Sequence, residues 1–261
     1  MGRCAKGHFS FNIYRGLPQN QYWEEFELER VEGLNVVAAL MEIQKRPINK
    51  EGKRVEPVVW EMACLEEVCG SCSMLINGVP RQACTALIEE LIQETGSTKI
   101  VLAPFSKFPL VRDLVVDRTS MFESLKEIKA WVPFAELHAE TFGPTISPHK
   151  QEAMYVESTC MTCGCCLEAC PQVNETSPFI GAAAINQVKL FNANPIGKNL
   201  KSERLMRMMQ KGGVSECGNA QNCVQVCPKK IPLTQSIAEV GKQVSRQYFK
   251  LKFGLPENED G

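Results

Sequence analysis

No apolar run in this chain comes near the roughly 20 residues that a helix needs to cross a bilayer; the longest are stretches such as VVAALM and VVW. No membrane-spanning segment is therefore expected. An excess of one charge is also missing. Lys and Arg number 29 against 30 Asp and Glu, a formal net charge of -1, so nothing global draws the protein to nucleic acid. A G-x-G-x-x-G turn after a strand is absent as well, and KGGVSECG has neither that spacing nor a strand before it, which argues against a flavin or nicotinamide held by this chain. Histidine is scarce. His8, His138 and His149 are scattered away from the cysteine groups and read as surface or packing residues, whereas a Rieske-type site would need two of them at one iron. The segment MGRCAKGHFSF has no apolar h-region, and Lys6 stands where an N-myristoylation motif takes Ser or Thr, so a cytosolic, unlipidated chain is expected.

What the chain does have is cysteine, 13 in 261 residues. Thiols stay reduced in the cytosol, which turns that count away from disulfides and toward metal binding. A hydrophobic content of 44% with 23% charged residues suits a chain that buries a core, in one large domain or two smaller ones. The cysteines fall into three groups: Cys64, Cys69, Cys72 and Cys84; then Cys160, Cys163, Cys165, Cys166 and Cys170; then Cys217, Cys223 and Cys227, with Cys4 alone.

The chain around the first group has the patterning of strands. Phe9, Phe11 and Ile13 alternate, as do Phe26 and Leu28 after the turn-rich GLPQNQ, which predicts an opening hairpin. Asn35 is placed to cap a helix with Val36, Leu40 and Ile43 on one face, and PVVWEMAC, SMLI, VPRQAC and TKIVLAP are further strand candidates. Asn77-Gly78 is a strong hairpin turn. The result expected is an α+β protein: a β-grasp-like domain over residues 1–108, then an all-α ferredoxin-like domain over residues 109–261. Val111, Leu114, Val115, Phe122, Leu125 and Ile128 recur at helical spacing after APFSKFPLVRD. FGPTISPHK is a connector, FIGAAAINQVKLF, SERLMRMMQ and SIAEVGKQVSRQYFKLKF read as helices, and PENEDG is expected to fray.

CLEEVCGSC is a C-x4-C-x2-C loop, followed by Cys84 after eleven intervening residues on the far side of the Asn77-Gly78 turn. That is the plant-type spacing for a 2Fe-2S cluster on Cys64, Cys69, Cys72 and Cys84, with a shortened last interval. Gly70 gives the loop the freedom to aim backbone N–H groups at sulfur. A structural zinc site is the competing assignment, but its usual pair-plus-pair spacing differs from this triple. CMTCGCCLEACP is the C-x2-C-x2-C-x3-C-P run of two-cluster ferredoxins, in which the fourth cysteine serves the other cluster. Cys160, Cys163 and Cys166 then join Cys227 around a 4Fe-4S cluster, and Cys170 joins Cys217 and Cys223. In CGNAQNCVQVCP the second cysteine of the run is replaced by Ala220, leaving three thiolates for a 3Fe-4S cluster. Eleven cysteines are used in this way. Cys165 reads as a small buried hydrophobe, Cys4 as incidental, and Lys229-Lys230 as a solvated pair or a phospholipid contact.

Three clusters of different type make a one-electron wire with no catalytic residue of its own, so a partner must hold the organic redox cofactor. In their order, the motifs CLEEVCGSCSMLINGVPRQAC, CMTCGCCLEACP and CGNAQNCVQVCPKKIP resemble the iron-sulfur subunit of succinate dehydrogenase and fumarate reductase, and the resemblance extends to WEEFEL and the helix after FPLVRD. It implies a flavoprotein subunit with covalent FAD that oxidises succinate, a membrane-anchor cytochrome b subunit with haem b, and a quinone that receives the electrons. It also implies a place on the cytoplasmic face of the bacterial inner membrane, as a part of the complex that is inactive alone. Ubiquinone-type members carry tryptophan soon after the Cys-Pro matching Cys170-Pro171 and histidine after the cysteine matching Cys217; this chain has QVNET and Gly218 there, and is more similar to menaquinone-type members with a dihaem anchor. A quinol:fumarate reductase subunit, or the iron-sulfur subunit of another flavoprotein oxidoreductase, is the alternative.

Overall fold

The computed structural model describes residues 7–133 and 144–254; Cys4, His138 and the PENEDG tail lie outside the described residues. The chain divides into two compact units, Met1–Arg118 with Met161–Ala169, and Thr119–Cys160 with Cys170–Gly261.

The first unit is built on a five-stranded sheet. β1 (His8–Leu17) and β2 (Asn20–Glu29) form the expected antiparallel hairpin, with Leu17 opposite Asn20. β1 also pairs in parallel with β5 (Lys99–Ala103), which is flanked on its other side by β3 (Ser73–Ile76) and then β4 (Val79–Gln82), giving the order β2-β1-β5-β3-β4. Alternation puts Phe9, Phe11 and Ile13 on the buried face, where they meet Phe26, Met74, Ile76, Ile100 and Leu102. Helix α1 (Val36–Lys45) covers this face with Val36, Val37, Leu40 and Ile43. Asn35 caps it: Ala38 N–H donates to Asn35 Oδ1 at 2.8 Å. Asn77 and Gly78 have φ of 50° and 78°, the paired left-handed residues of a type I′ turn, and so β3 and β4 are closely joined.

Several elements differ from the sequence pattern, one of them a helix over Pro148–Ser158 that begins inside the segment read as a connector. PVVWEMAC forms no strand, because its polar backbone is taken up by side chains from elsewhere. The buried Arg15 guanidinium donates to the Glu56 and Pro57 carbonyls at 2.9 and 3.2 Å, and Val59 N–H donates to Asp113 Oδ2 at 2.8 Å. Val111, Leu114 and Val115 belong to a two-stranded hairpin, β6 (Leu110–Arg112) and β7 (Val115–Val116), rather than to a helix. Asp113 turns that hairpin at φ 47°, and its carboxylate accepts from Gly16 N–H at 2.7 Å and pairs with Arg15. A second short helix, α2 (Ile88–Thr95), buries Ile88 and Leu91 and went unanticipated. The segment from Met161 to Ala169 adds α5 (Cys165–Glu168), whose Glu168 carboxylate accepts from the N–H groups of Ser106 at 2.9 Å and Lys107 at 3.1 Å.

The second unit is helical: α3 (Thr119–Glu127), α4 (Pro148–Ser158), α6 (Ala182–Ala193), α7 (Lys201–Met209), the single turn α8 (Asn222–Gln225) and α9 (Leu233–Phe253). Ile128, Phe179, Ile185, Val188, Met208 and Val240 form its core. Arg204 is fully buried there and donates to the carbonyls of Lys129 at 3.0 Å, Trp131 at 3.0 Å and Gly197 at 2.6 Å, and to Asn192 Oδ1 at 3.2 Å. Burial lowers its pKa to about 10, which leaves it charged at neutral pH. Removing such a donor strands buried carbonyls, so Arg204→Met is expected to destabilise the protein by about 2–4 kcal/mol. Urea unfolding of the second unit's helical signal checks this; a midpoint equal to that of the unaltered protein refutes it.

Candidate metal centres

The loop from Cys64 to Cys72 is folded around sulfur. Cys64 Sγ accepts from the backbone N–H groups of Glu66, Val68 and Cys69 at 3.4, 3.3 and 3.3 Å, and Cys69 Sγ accepts from those of Cys64 and Ser71 at 3.5 and 3.4 Å. Such convergence requires left-handed backbone at several positions, met by Leu65, Glu67 and Gly70 at φ of 62°, 54° and 74°. At Cys69 the inward N–H groups favour thiolate over thiol. Burial works to raise the Cys69 thiol, yet hydrogen bonds from Ser71 and Cys64 bring it down to about 6. Cys72 is pushed up to about 12 by burial and by the nearby Cys84 thiol.

The rest of the first unit holds this loop in place. Arg118 donates to the carbonyls of Gly70 at 2.7 Å and Ser71 at 3.2 Å and pairs with Glu61 at 2.8 Å. The β3–β4 hairpin carries Cys84 back toward Cys72, with Ala83 N–H donating to the Cys72 carbonyl at 3.1 Å. Asn35, the cap of α1, donates through Nδ2 to the Cys84 carbonyl at 2.9 Å, and Thr85 Oγ1 donates to Glu67 Oε1 at 2.8 Å. At Gly70 a Cβ would lie 2.9 Å from both Cα and Cβ of Cys163, so no larger residue fits. The structure thus brings Cys64 next to Cys69 and Cys72 next to Cys84. Nothing in the sequence pointed to Arg118, which looks like any charged residue at a loop end.

The second and third cysteine runs share one backbone design. In CMTCGCC, Thr162 and Gly164 are left-handed on either side of Cys163, at φ of 53° and 90°. In CGNAQNC, Asn219 and Gln221 are left-handed on either side of Ala220, at φ of 53° and 64°. Each loop leads into a single helical turn, α5 and α8, that carries Cys166 or Cys223. Ala220 therefore stands in the loop position of Cys163, with the turn intact and the thiol missing. Cys163 and Cys166 lie in the first unit; Cys160 and Cys227 belong to the second. Cys163 is drawn down to about 7, first by the hydrogen bond from Cys165 and also by Arg118, while the buried Cys165 thiol is pushed far up.

Cys170, Cys217 and Cys223 line one pocket of the second unit together with Gln172, Phe179, Gly218, Ala220 and Ile237. Burial raises the Cys223 thiol, and the charges of the nearby Cys170 and Cys217 raise it further. Gly218 keeps this pocket open to Gln172: a Cβ at Gly218 would fall 2.5 Å from Gln172 Nε2. None of the described cysteines is in a disulfide. Among the described residues, no group of three or more His, Cys, Asp or Glu side chains closes on a point in the way that a single metal ion needs. His8 and His149 belong to none of these loops. Amide-lined sulfur, paired thiols and an open three-thiol pocket fit iron-sulfur clusters better than one zinc ion.

Gly70→Ala is expected to abolish the first centre, since the added methyl overlaps the backbone of Cys163 and forces the sulfur loop open. The check is the EPR signal of dithionite-reduced protein: an undiminished two-iron signal at full occupancy would refute the packing argument.

The family model for a 2Fe-2S iron-sulfur cluster binding domain matches residues 10–123, and that for a 4Fe-4S dicluster domain matches residues 157–231. The chain is 53% identical over 233 residues, 89% of its length and 90% of the relative's, to the succinate dehydrogenase iron-sulfur subunit of Bacillus subtilis. It is 34% identical over 191 residues, 73% of its length and 75% of the relative's, to the fumarate reductase iron-sulfur subunit of Escherichia coli O157:H7. Among solved structures, a chain of the Mycobacterium smegmatis Sdh1 complex in the apo form has the same fold, with a TM-score of 0.76 at 20% identity over 94% of this chain and 98% of that one. Two cluster-domain matches that share the chain between them, and a relative alike over almost its whole length, identify this protein as a member of the family of succinate dehydrogenase and fumarate reductase iron-sulfur subunits.

Proposed function

We propose that this chain carries electrons from the FAD of a flavoprotein partner, where succinate is oxidised, to a quinone at a membrane-anchor cytochrome b partner. When bound, the clusters supply one-electron redox capacity at three stations whose potentials differ by cluster type and surroundings. Cys64, Cys69, Cys72 and Cys84 would hold the 2Fe-2S cluster; Cys160, Cys163, Cys166 and Cys227 the 4Fe-4S cluster; Cys170, Cys217 and Cys223 the 3Fe-4S cluster. The work of the chain's own residues is to orient sulfur, donate hydrogen bonds to it and exclude water, and none of them forms or breaks a bond of the substrate. Residues 1–108 would supply every ligand of the 2Fe-2S centre, and residues 109–261 every ligand of the other two.

The observation that carries this proposal is Ala220 in the place of Cys163 within an otherwise repeated loop. A carrier with two cubanes would keep that thiol, whereas a quinone-reducing wire is served by a three-iron terminus. Succinate oxidation, rather than fumarate reduction, is favoured by the relative at 53% identity against that at 34%. No described helix is long and apolar enough to cross a membrane, so attachment to the cytoplasmic face of the inner membrane would run through the partners. Gly218, with Gln172 in the space that a side chain there would need, supports a menaquinone-type terminus with a dihaem anchor.

Two measurements test these assignments. Low-temperature EPR of the oxidised complex is expected to show a signal from a three-iron centre, since that centre alone among the three has an odd electron count when oxidised. Ala220→Cys is expected to remove that signal and add one at lower potential in the reduced state; an unchanged oxidised spectrum would mean that more than the missing thiolate keeps the fourth iron out. Quinone extracted from the complex is expected to be menaquinone, and recovery of ubiquinone alone would overturn the assignment of the terminus.

A further inference from the structure

Gln82 is the last residue of β4 and is almost wholly buried, at 1% exposure, although its carboxamide needs several hydrogen bonds. It sits between two thiols. Cys72 Sγ lies 3.6 Å from Gln82 Oε1, and Gln82 Nε2 lies 3.6 Å from Cys165 Sγ and 2.8 Å from Ser73 Oγ. Ser73 Oγ in turn donates to the Gly70 carbonyl at 2.6 Å. In this arrangement the Cys72 thiol gives its hydrogen to Gln82.

That proton is absent once Cys72 binds iron as a thiolate, and the carbonyl oxygen of Gln82 would then face a negatively charged sulfur. The two ends of a carboxamide have nearly the same shape, so a half-turn of Gln82 corrects the mismatch without moving any other heavy atom. Nε2–H then donates to Cys72 Sγ. Oε1 takes the place beside Ser73 and Cys165, where the hydroxyl hydrogen of Ser73 reaches it and the thiol hydrogen of Cys165 turns to it from Cys163. Ser73 gives up the Gly70 carbonyl in doing so, but Arg118 Nη1 already donates to that carbonyl at 2.7 Å. The place of Cys165 beside the Gln82 amide gives a role to a cysteine that binds no iron in the middle of a ligand run.

We propose that Gln82 is a positioning and tuning residue of the two-iron centre, donating a side-chain hydrogen bond to its ligand Cys72, and that the Cys165 thiol fixes the orientation of the amide. This rests on Cys72 being a ligand of that centre, as assigned above. An N–H dipole aimed at a ligand sulfur stabilises the more negative, reduced cluster and raises its potential. A residue that merely filled the core would change stability and leave the potential where it is.

The test is an EPR-monitored redox titration of the intact complex. Gln82→Met keeps the volume, removes the donor and is expected to shift the two-iron midpoint downward while the other two midpoints stay in place. Cys165→Val, which frees the amide to turn back, is expected to shift it in the same direction by less, and Cys165→Ser, which retains a donor hydrogen, to restore the unaltered value. A Gln82→Met complex with a full two-iron signal at the unaltered potential would overturn the proposal. If Gln82→Met does not assemble, the Cys165 pair decides: equal midpoints for Val and Ser overturn it, and a downward shift for Val alone supports it. An unaltered complex with no reduced two-iron signal would instead refute the ligand assignment itself.

Discussion

Sulfur bearing a negative charge in a half-buried loop must be met by something positive, and in this chain the meeting is done by peptide N–H groups. A side-chain cation could do it, but would have to be buried and would fix nothing else. Backbone donors cost no buried charge, yet they can converge on one atom only if the chain leaves the ordinary right-handed regions of conformation. The rest of the first unit follows from that requirement. Leu65 and Glu67 are held at φ of 62° and 54°, where residues with side chains are strained, and something outside the loop must hold them there. Arg118, on two loop carbonyls, and Thr85, on Glu67, do so.

Both units use a buried arginine for the same kind of task. Arg15 binds the carbonyls of Glu56 and Pro57, and Arg204 those of Lys129, Trp131 and Gly197. In each case irregular backbone beside the core has no strand or helix to satisfy it. A planar group with five donors does the work of a missing ladder. Arg15 differs in having carboxylates from Glu24 and Asp113, whereas Arg204 relies on carbonyl dipoles, a side-chain amide and the face of Phe191. Burial lowers the pKa of Arg204.

What could be read from the sequence was what is decided within a few residues. Asn35 and the Asn77-Gly78 turn act on neighbouring backbone, the alternation of Phe9, Phe11 and Ile13 needs only a strand, and the cysteine intervals are local by nature. What escaped was settled at a distance. PVVWEMAC has every preference of a strand, but Arg15 and Asp113, 98 residues apart, claim its backbone first. The same Asp113 turns Leu110–Val116 into a hairpin where apolar spacing suggested a helix. The partners of Gln82 were hidden for a similar reason: Cys165 is 83 residues away, and nothing in either residue's neighbourhood announces the other. Ala220 sits at the opposite extreme, since the repeated loop makes a missing atom visible from spacing alone.

The close approach of Gly70 to Cys163 has a bearing on modularity. The segment from Met161 to Ala169 is far along the chain yet belongs to the first unit, while the residues on both sides of it belong to the second. The boundary between the two units is thus crossed three times, and no single cut separates them. A fragment ending at Arg118 would contain every thiol of the first group but would lack the strand of backbone on which Gly70 rests. Exchange of whole cluster domains between such chains, which their separate sequence signatures invite, would have to carry the short internal segment along with the amino-terminal piece.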